Sequence, residues 1–201
     1  NTHRKELDKK FVAYDCGGLS ANIIQSELFG YKKGAFTGAD KDTEGLLETN
    51  NGKMVFLDEI GNIPRDNQNV FMRLLQSGEI RRVGSNEVKT LNVQIVAATN
   101  KDINDEEVFA SDLRDRFQEI ITIPPLRERK EDISLLADFF LQRSNKNVSF
   151  ADNVFSELTN YPWSGNVREL QTWVGRMCRY FKDEHVEWEN IPENYRPDSP
   201  S

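Results

Sequence analysis

The hexapeptide Met54-Val55-Phe56-Leu57-Asp58-Glu59 decides the fold prediction, because an apolar run without clean alternation ends in two adjacent acids. Such a run is typical of a parallel strand that is buried on both faces. Ligands of open parallel sheets bind at the carboxyl ends of the strands. There one carboxylate can hold Mg²⁺, and the next can activate a water molecule that attacks a phosphate. Asp58 and Glu59 are therefore catalytic candidates, and a strand that ends in solvated acids is the alternative.

Further apolar runs predict three more strands, at residues 11–15, 93–98 and 118–123. Helical patterns lie between them: Ser20 can cap the first, Thr43 can cap residues 44–49, and Pro64 can start a helix to residue 76. Residues 79–83 and 88–91 predict a short hairpin. This alternation indicates an α/β fold with a mostly parallel sheet covered by helices.

The pattern changes after Pro124-Pro125, where no further strand is predicted. Amphipathic helical patterns cover residues 131–144, 151–161 and 167–181. We therefore predict an α/β subdomain over residues 1–128, a small all-helical subdomain over residues 129–190 and a linker or tail over residues 191–201.

Composition narrows the classes of function. The 201 residues carry 26 Lys plus Arg and 33 Asp plus Glu, a net charge of −7, and 37% of them are hydrophobic. General disorder and a membrane-spanning segment are excluded, and a cytoplasmic setting is expected. The acidic balance argues against unaided DNA binding. Cys16 and Cys178 have no zinc-site or disulfide spacing.

A second strand end carries polar groups. Thr99 and Asn100 follow the apolar run that ends at Ala98, and either side chain could hydrogen-bond an attacking water molecule or a phosphate oxygen. A turn-forming asparagine is the alternative explanation.

The run Gly34-Ala35-Phe36-Thr37-Gly38-Ala39 predicts a loop with an aromatic residue and a hydroxyl at its crown. Glycines at both ends give the loop conformational freedom. Phe36 among small residues favours a contact surface, while a ring tucked back into the core is the alternative.

Arginines supply candidate phosphate ligands, because a guanidinium binds phosphate in a bidentate manner. Arg116 follows an acidic helical segment, and Arg127 and Arg129 follow the proline pair. Arg168 lies at the start of the last long helical pattern. Surface ion pairs are the alternative for each of them.

Together these motifs resemble the AAA+ domain of bacterial sigma-54-dependent transcriptional activators over residues 11–181. The most specific match is residues 27–30 followed by the loop at residues 34–39. The acidic strand end, the Ala98-Thr99-Asn100 strand end, the segment at residues 124–129 and the segment at residues 163–170 follow in the family's order. The resemblance implies a P-loop NTPase-like (AAA+) sheet followed by a helical lid.

The resemblance also implies a nucleotide site. Asp58 would hold Mg²⁺, Glu59 would activate water, and Thr99 and Asn100 would contact ATP, with Asn100 sensing its γ-phosphate. Arg168 would read the nucleotide state in its own subunit. Such domains form ring oligomers, commonly hexamers, with ATP between subunits, so Arg116 would act as an arginine finger in the neighbouring site.

The implied partners are sigma-54 and the RNA polymerase holoenzyme. Phe36 and Thr37 would form the tip of the contact loop Gly34 to Ala39, and the hairpin at residues 79–91 would move with it. ATP hydrolysis would remodel the closed promoter complex. DNA binding would belong to a helix-turn-helix outside this chain, as in regulators of two-component systems.

Three departures from the family pattern leave a second function open. No G-x-x-x-x-G-K is present: Gly52-Lys53 is the only Gly-Lys pair, and Leu47 stands where the first glycine is needed. Ala110 replaces a second arginine, and Asp15 replaces an asparagine that restrains the catalytic glutamate. We expect a truncated P-loop. The alternative is an interaction module that binds sigma-54 or ring partners without turning over ATP.

Overall fold

The structure is a computed structural model, which describes residues 11–18, 20–144, 147–182 and 184–197. The chain forms two compact units, which divide between Ile120 and Ile121. This division lies before the predicted boundary at residue 128. The predicted strand at residues 118–123 is absent from the described residues, and Ile121 and Ile123 in that segment are 81% and 76% exposed. That strand prediction is wrong because no described strand pairs with this segment.

The first unit is built around a parallel sheet. Strands β1 (Phe11–Asp15), β4 (Met54–Asp58) and β7 (Gln94–Ala97) form it in the order β1-β4-β7, with β4 in the centre. Val55 and Leu57 of β4 are completely buried, as expected for the central strand. The elements of this unit, in chain order, are β1 (Phe11–Asp15), α1 (Ala21–Phe29), β2 (Gly30–Tyr31), β3 (Thr43–Glu44), α2 (Leu46–Thr49), β4 (Met54–Asp58), α3 (Arg65–Ser77), β5 (Glu79–Ile80), β6 (Lys89–Thr90), β7 (Gln94–Ala97) and α4 (Ser111–Arg114).

Helix α3 confirms the predicted helix but begins at Arg65, with Pro64 as the N-cap residue before it. It buries Phe71 and Leu74 in the core of the unit, and it ends at Gly78, whose φ of 72° suits glycine. Strands β5 and β6 pair in an antiparallel manner, which confirms the predicted hairpin.

The region around Thr43 differs from the prediction. Thr43 does not cap a helix, because β3 pairs with β2 and α2 begins after Gly45. Gly45 lies so close to the backbone of Leu28 and Phe29 that a side chain there would collide with it. A close contact between the backbone at Gly45 and the backbone at Leu28 and Phe29 is therefore found in place of the predicted helix cap at Thr43.

The second unit packs three helices around an aromatic core: α5 (Glu131–Arg143), α6 (Asp152–Asn160) and α7 (Asn166–Tyr180). Their bounds agree with the predicted helices. The unit also contains the two-residue strands β8 (Ser149–Phe150) and β9 (His185–Val186), which pair in parallel, so it is not all-helical as predicted. No helix among the described residues has the length and apolarity to cross a membrane.

The predicted linker at residues 191–201 is wrong for its first part. Ile191 is fully buried in the core of the second unit. Trp173 Nε1 donates to the carbonyl of Tyr195 at 2.7 Å, and Arg196 Nε donates to the carbonyl of Ile191 at 2.9 Å. The burial of Ile191 and these hydrogen bonds thus hold residues 191–196 against the unit, although their proline content predicts a linker. Residues 198–201 lie outside the described residues.

Candidate functional site

Two acids meet at the carboxyl edge of the sheet. Asp15 at the end of β1 is the register partner of Asp58 at the end of β4, and Cys16 N donates to Asp58 O at 2.9 Å. Asp58 Oδ1 accepts the backbone N–H of Glu59 at 3.0 Å. Its Oδ2 accepts no hydrogen bond from the described residues, so this oxygen is available to a ligand.

Glu59 has a backbone conformation that is unusual for a residue with a side chain. Its φ of 54° and ψ of 40° lie in the left-handed region. Its Oε2 is buried and has no hydrogen-bond partner among the described residues. A strained backbone and a buried unpartnered carboxylate oxygen both cost free energy, and both are typical of functional sites.

The third strand end lies beside the turn that follows Glu59. Ala98 N donates to Leu57 O, and Ile60 N donates to Ala98 O, both at 2.9 Å. The hydroxyl of Thr99 accepts Lys101 N at 3.1 Å and lies where a side chain on Gly61 would be. The structure therefore brings the strand end that carries Thr99, and the exposed Asn100 after it, to the same edge as Asp58 and Glu59.

The neighbours Asp15 and Cys16 have local roles. Asp15 Oδ1 accepts Gly17 N at 2.7 Å, and no hydrogen bond joins Asp15 to Glu59 within the described ranges. Burial, followed by the negative charges of Asp15 and Asp58, raises the pKa of Cys16 to about 12. This thiol stays protonated at neutral pH, which excludes a thiolate nucleophile.

The donor set suits a magnesium ion that is carried by a phosphate ligand. No group of three or more His, Cys, Asp or Glu side chains in the described part of the chain could hold a metal ion by itself. Mg²⁺ commonly uses one or two protein carboxylates and takes its other ligands from phosphates and water. The available oxygen of Asp58 fits that mode.

Two predicted arginines are exposed and unpartnered in the described residues. Arg116 follows α4, where its N donates to Leu113 O at 3.1 Å. Arg168 lies in the first turn of α7, in the second unit. Neither guanidinium forms a hydrogen bond or an ion pair with the described residues, so both are available to an anion.

The predicted contact loop, residues 34–39, is a compact turn. Gly34 N donates to Ala39 O at 2.8 Å, and Ala39 N donates to Phe36 O at 3.0 Å. Gly34 and Gly38 have φ values of 82° and 94°, which glycine accommodates without strain. The Phe36 ring lies 4.9 Å from the Tyr31 ring but remains 45% exposed, and Thr37 is exposed. A ring buried in the core is therefore excluded.

The hairpin supports the base of this loop. Val83 N donates to Gly30 O at 2.8 Å, and Lys32 N donates to Val83 O at 3.0 Å. A Cβ on Gly84 would come within 2.8 Å of the Cβ of Ala35, so the two backbones are in close contact. A displacement of the hairpin would therefore act directly on the loop.

Sequence reasoning missed an ion cluster that holds the hairpin. Arg82 donates to both carboxylate oxygens of Glu48, from Nε at 2.9 Å and from Nη2 at 2.8 Å, and Lys89 pairs with the same carboxylate. The hydrogen bond from Arg82 is the main reason that the pKa of Glu48 is lowered. Because Arg82 is remote from Glu48 in the chain, no local pattern signals the pair.

Comparison with protein families gives two matches, which together cover all but residues 124–126. Residues 1–123 match the Sigma-54 interaction domain, and residues 127–201 match an AAA+ ATPase lid domain.

Similar curated proteins are bacterial regulators. The chain is 42% identical to the regulatory protein LuxO of Vibrio cholerae, over 87% of this chain and 35% of LuxO. It is 44% identical to a Nif-specific regulatory protein of Rhizobium leguminosarum, over 84% of this chain and 50% of that protein. The chain thus spans between about a third and a half of the length of these relatives.

A solved structure confirms the fold. The crystal structure of NtrX from Brucella abortus in complex with ADP superposes with a TM-score of 0.78 at 27% identity. The match covers 95% of this chain and 45% of NtrX.

Proposed function

Because the chain belongs to the Sigma-54 interaction domain family and carries an AAA+ ATPase lid domain, we propose that its parent protein hydrolyses ATP to remodel the closed complex of sigma-54 RNA polymerase. The family supports a regulatory role in sigma-54 activation and an ATPase of the AAA+ kind. The observation that carries the hydrolytic step is the buried, unpartnered Oε2 of Glu59 beside Asp58. An oxygen in this state suits a group that accepts a hydrogen bond from an attacking water molecule.

Each side chain of the sheet edge has a role in this proposal. Asp58 would hold Mg²⁺ through its available oxygen, and a bound ion would neutralise charge on the phosphates. Glu59 orients water for attack on the γ-phosphate. Asn100, exposed at the adjacent strand end, donates to a γ-phosphate oxygen, while Thr99 shapes the site through its contact with Gly61.

The unpartnered arginines extend the site to two subunits. We expect the protein to form an oligomeric ring, commonly a hexamer, in which Arg116 stabilises charge at the neighbouring subunit's nucleotide. Arg168 reads the nucleotide within its own subunit. Both roles draw support from guanidinium groups that no described residue neutralises.

The loop at residues 34–39 is the proposed contact with sigma-54. Phe36 and Thr37 are the exposed groups at its crown, and the hairpin at its base is tied to α2 through Arg82 and Glu48. Helix α2 leads into β4, so a change at Asp58 and Glu59 has a short route to the loop. DNA contact is left to a helix-turn-helix domain of the parent protein outside this chain.

The test is promoter opening by the full-length protein with ATP and sigma-54 RNA polymerase. We expect the wild type to form open complexes. Thr37→Ala should abolish opening and spare most ATP hydrolysis, whereas Thr172→Ala, at an exposed threonine on α7, should change neither. A wild-type protein that opens no sigma-54 promoter, or a Thr37→Ala protein that opens one normally, contradicts the proposal.

A second candidate is a module that binds sigma-54 or ring partners without ATP turnover. It is favoured by one observation, the absence of G-x-x-x-x-G-K from the 201 residues. Backbone N–H groups and a lysine of such a loop would otherwise cradle the phosphates. The coding sequence upstream of Asn1 and the ATPase rate of the full-length protein separate the two candidates. A P-loop there with measurable hydrolysis rejects the second.

A further inference from the structure

Gln68, on helix α3, is a polar residue that is fully buried in the first unit. Burying a side-chain amide is unfavourable unless its donors and its acceptor are both satisfied. Both ends of this amide are used. Nε2 donates to Ile63 O at 3.0 Å and to Val108 O at 2.9 Å, while Oε1 accepts Ala110 N at 2.8 Å.

The three backbone partners of Gln68 belong to two different parts of the candidate site. Ile63 directly follows the turn at Ile60–Asn62, which itself follows Glu59. Val108 and Ala110 flank the buried Phe109 immediately before α4. A single amide group therefore joins the segment after the catalytic carboxylate to the segment that leads to Arg116.

The start of α4 depends on this amide. Ala110 is the N-cap residue of α4, and no side chain there accepts a hydrogen bond from the first turn. Helix α4 has only four residues, which is too few for stability on its own. Arg116 lies two residues after the end of α4, and its guanidinium has no hydrogen-bond or ion-pair partner among the described residues that would fix it. The hydrogen bonds of Gln68 to Val108 and Ala110 are thus a main constraint on where Arg116 is presented.

We propose that Gln68 is a positioning residue for Arg116, which it holds in place relative to the Glu59 turn so that the guanidinium reaches the neighbouring subunit's nucleotide. This inference rests on the proposed function, in which Arg116 acts on the adjacent site. Gln68 touches no nucleotide. Its effect passes through the backbone at residues 108–110 and through α4.

The first expected consequence is a change in rate rather than in nucleotide affinity. Gln68→Met keeps the length of the side chain and removes all three hydrogen bonds. We expect kcat for ATP in the full-length protein to fall by on the order of tenfold to a hundredfold, because small displacements of a catalytic group cost rates of this size. The KM for ATP should change little. Hydrogen exchange at the amide of Ala110 should become faster, as its acceptor is lost.

Mixed oligomers distinguish positioning of Arg116 from a general structural role. Gln68→Met subunits retain their own Glu59 but present Arg116 poorly, whereas Glu59→Gln subunits present Arg116 well but lack the carboxylate. Mixing these two impaired proteins should restore ATPase activity to the level obtained by mixing Arg116→Ala with Glu59→Gln. Mixing Gln68→Met with Arg116→Ala should not restore ATPase activity, because neither variant supplies a correctly placed Arg116 guanidinium to the neighbouring subunit.

The outcomes separate the inference from the function on which it rests. If Gln68→Met recovers with Arg116→Ala and not with Glu59→Gln, Gln68 serves its own subunit's site and the inference is wrong. If Arg116→Ala alone keeps wild-type hydrolysis, the proposed role of Arg116 is wrong, whatever the result for Gln68. Should Gln68→Met not fold, as judged by thermal unfolding, Gln68→Asn keeps the amide on a shorter side chain and should give the same pairing pattern with a smaller loss. Any other pattern for Gln68→Asn overturns the inference.

Discussion

The two candidate functional regions of the first unit differ in how their charged groups are paired. At the loop, charges are paired: Lys32 Nζ lies 2.8 Å from Asp42 Oδ2, and Arg82 binds both oxygens of Glu48. At the sheet edge, Glu59 Oε2 is buried without a partner among the described residues. Polar groups that have protein partners stabilise the local structure, whereas a polar group without a partner can still bind a ligand. In the proposed function, this difference suits a loop that transmits movement and a sheet edge that binds a ligand and reacts with it.

Removal of the unpartnered carboxylate should produce the largest effect. Glu59→Gln keeps the shape of the side chain, and we expect ATP hydrolysis by the full-length protein to fall on the order of a thousandfold, as for loss of a general base. Thermal stability should not fall, because Oε2 has no hydrogen-bond partner to lose among the described residues. Phosphate release and a melting curve measure both effects, with the exposed Glu106→Gln as control. A destabilised variant that still hydrolyses ATP would reverse the contrast between the two regions.

Loss of the central acid of the ion cluster should cost stability instead. Glu48→Ala leaves Arg82 and Lys89 without their shared carboxylate, and we expect the free energy of unfolding to fall by about 2–3 kcal/mol. Glu44 also approaches Arg82, at 3.3 Å, but it is exposed, so Glu44→Ala should cost less than about 1 kcal/mol. Urea unfolding followed by far-UV circular dichroism measures the difference. Equal losses in the two variants would mean that burial adds nothing to the pair.

The contact between the hairpin and the loop predicts a smaller effect. Gly84→Ala places a methyl group against Ala35 at a φ of 75°, whereas a methyl group on Gly52, at a φ of 81°, has no atom of the described residues within 4 Å. Backbone strain alone should cost about 1 kcal/mol in each variant. Gly84→Ala should lose a further ~1 kcal/mol of stability through crowding, and it should weaken promoter opening more than hydrolysis. Identical behaviour of the two variants would show that the contact does not couple the hairpin to the loop.

The smallest expected effect is the pH dependence of the ion cluster. The pKa of Glu48 is lowered in the folded state, chiefly by its hydrogen bond from Arg82, from an ordinary value of 4.5. A lowered folded-state pKa stabilises the protein above the unfolded value, and this stabilisation is lost as the pH falls through the folded value. Melting temperatures should therefore drop below pH 4.5 more steeply in the wild type than in Glu48→Ala. Parallel curves would contradict this assignment.

Much of the fold could be predicted from local sequence. The buried strand Met54–Asp58, the helix after Pro64 and the three helices of the second unit follow from periodicity and from their start and stop signals. The exposure of Phe36 also followed from its small neighbours. These features depend on a few consecutive residues, so tertiary context changes them little.

Features that depend on distant partners could not be predicted. Thr43 was expected to cap a helix but pairs with Tyr31, and the prolines after residue 191 concealed a segment that packs on Trp173. The unpartnered oxygen of Glu59 and the three hydrogen bonds of Gln68 depend on how separate segments enclose one side chain. Motifs identified which residues could react, whereas only the structure shows which of them are already satisfied.

The two units of the molecule differ in their tryptophan fluorescence. All three tryptophans, Trp163, Trp173 and Trp188, lie in this unit, and the first unit has none. Trp173 also donates a hydrogen bond to the carbonyl of Tyr195, so we expect its emission to change with the docking of the segment at residues 191–196. Tryptophan fluorescence of this chain is therefore a signal from the second unit that needs no added label. The first unit, which contains no tryptophan, can be followed by other probes.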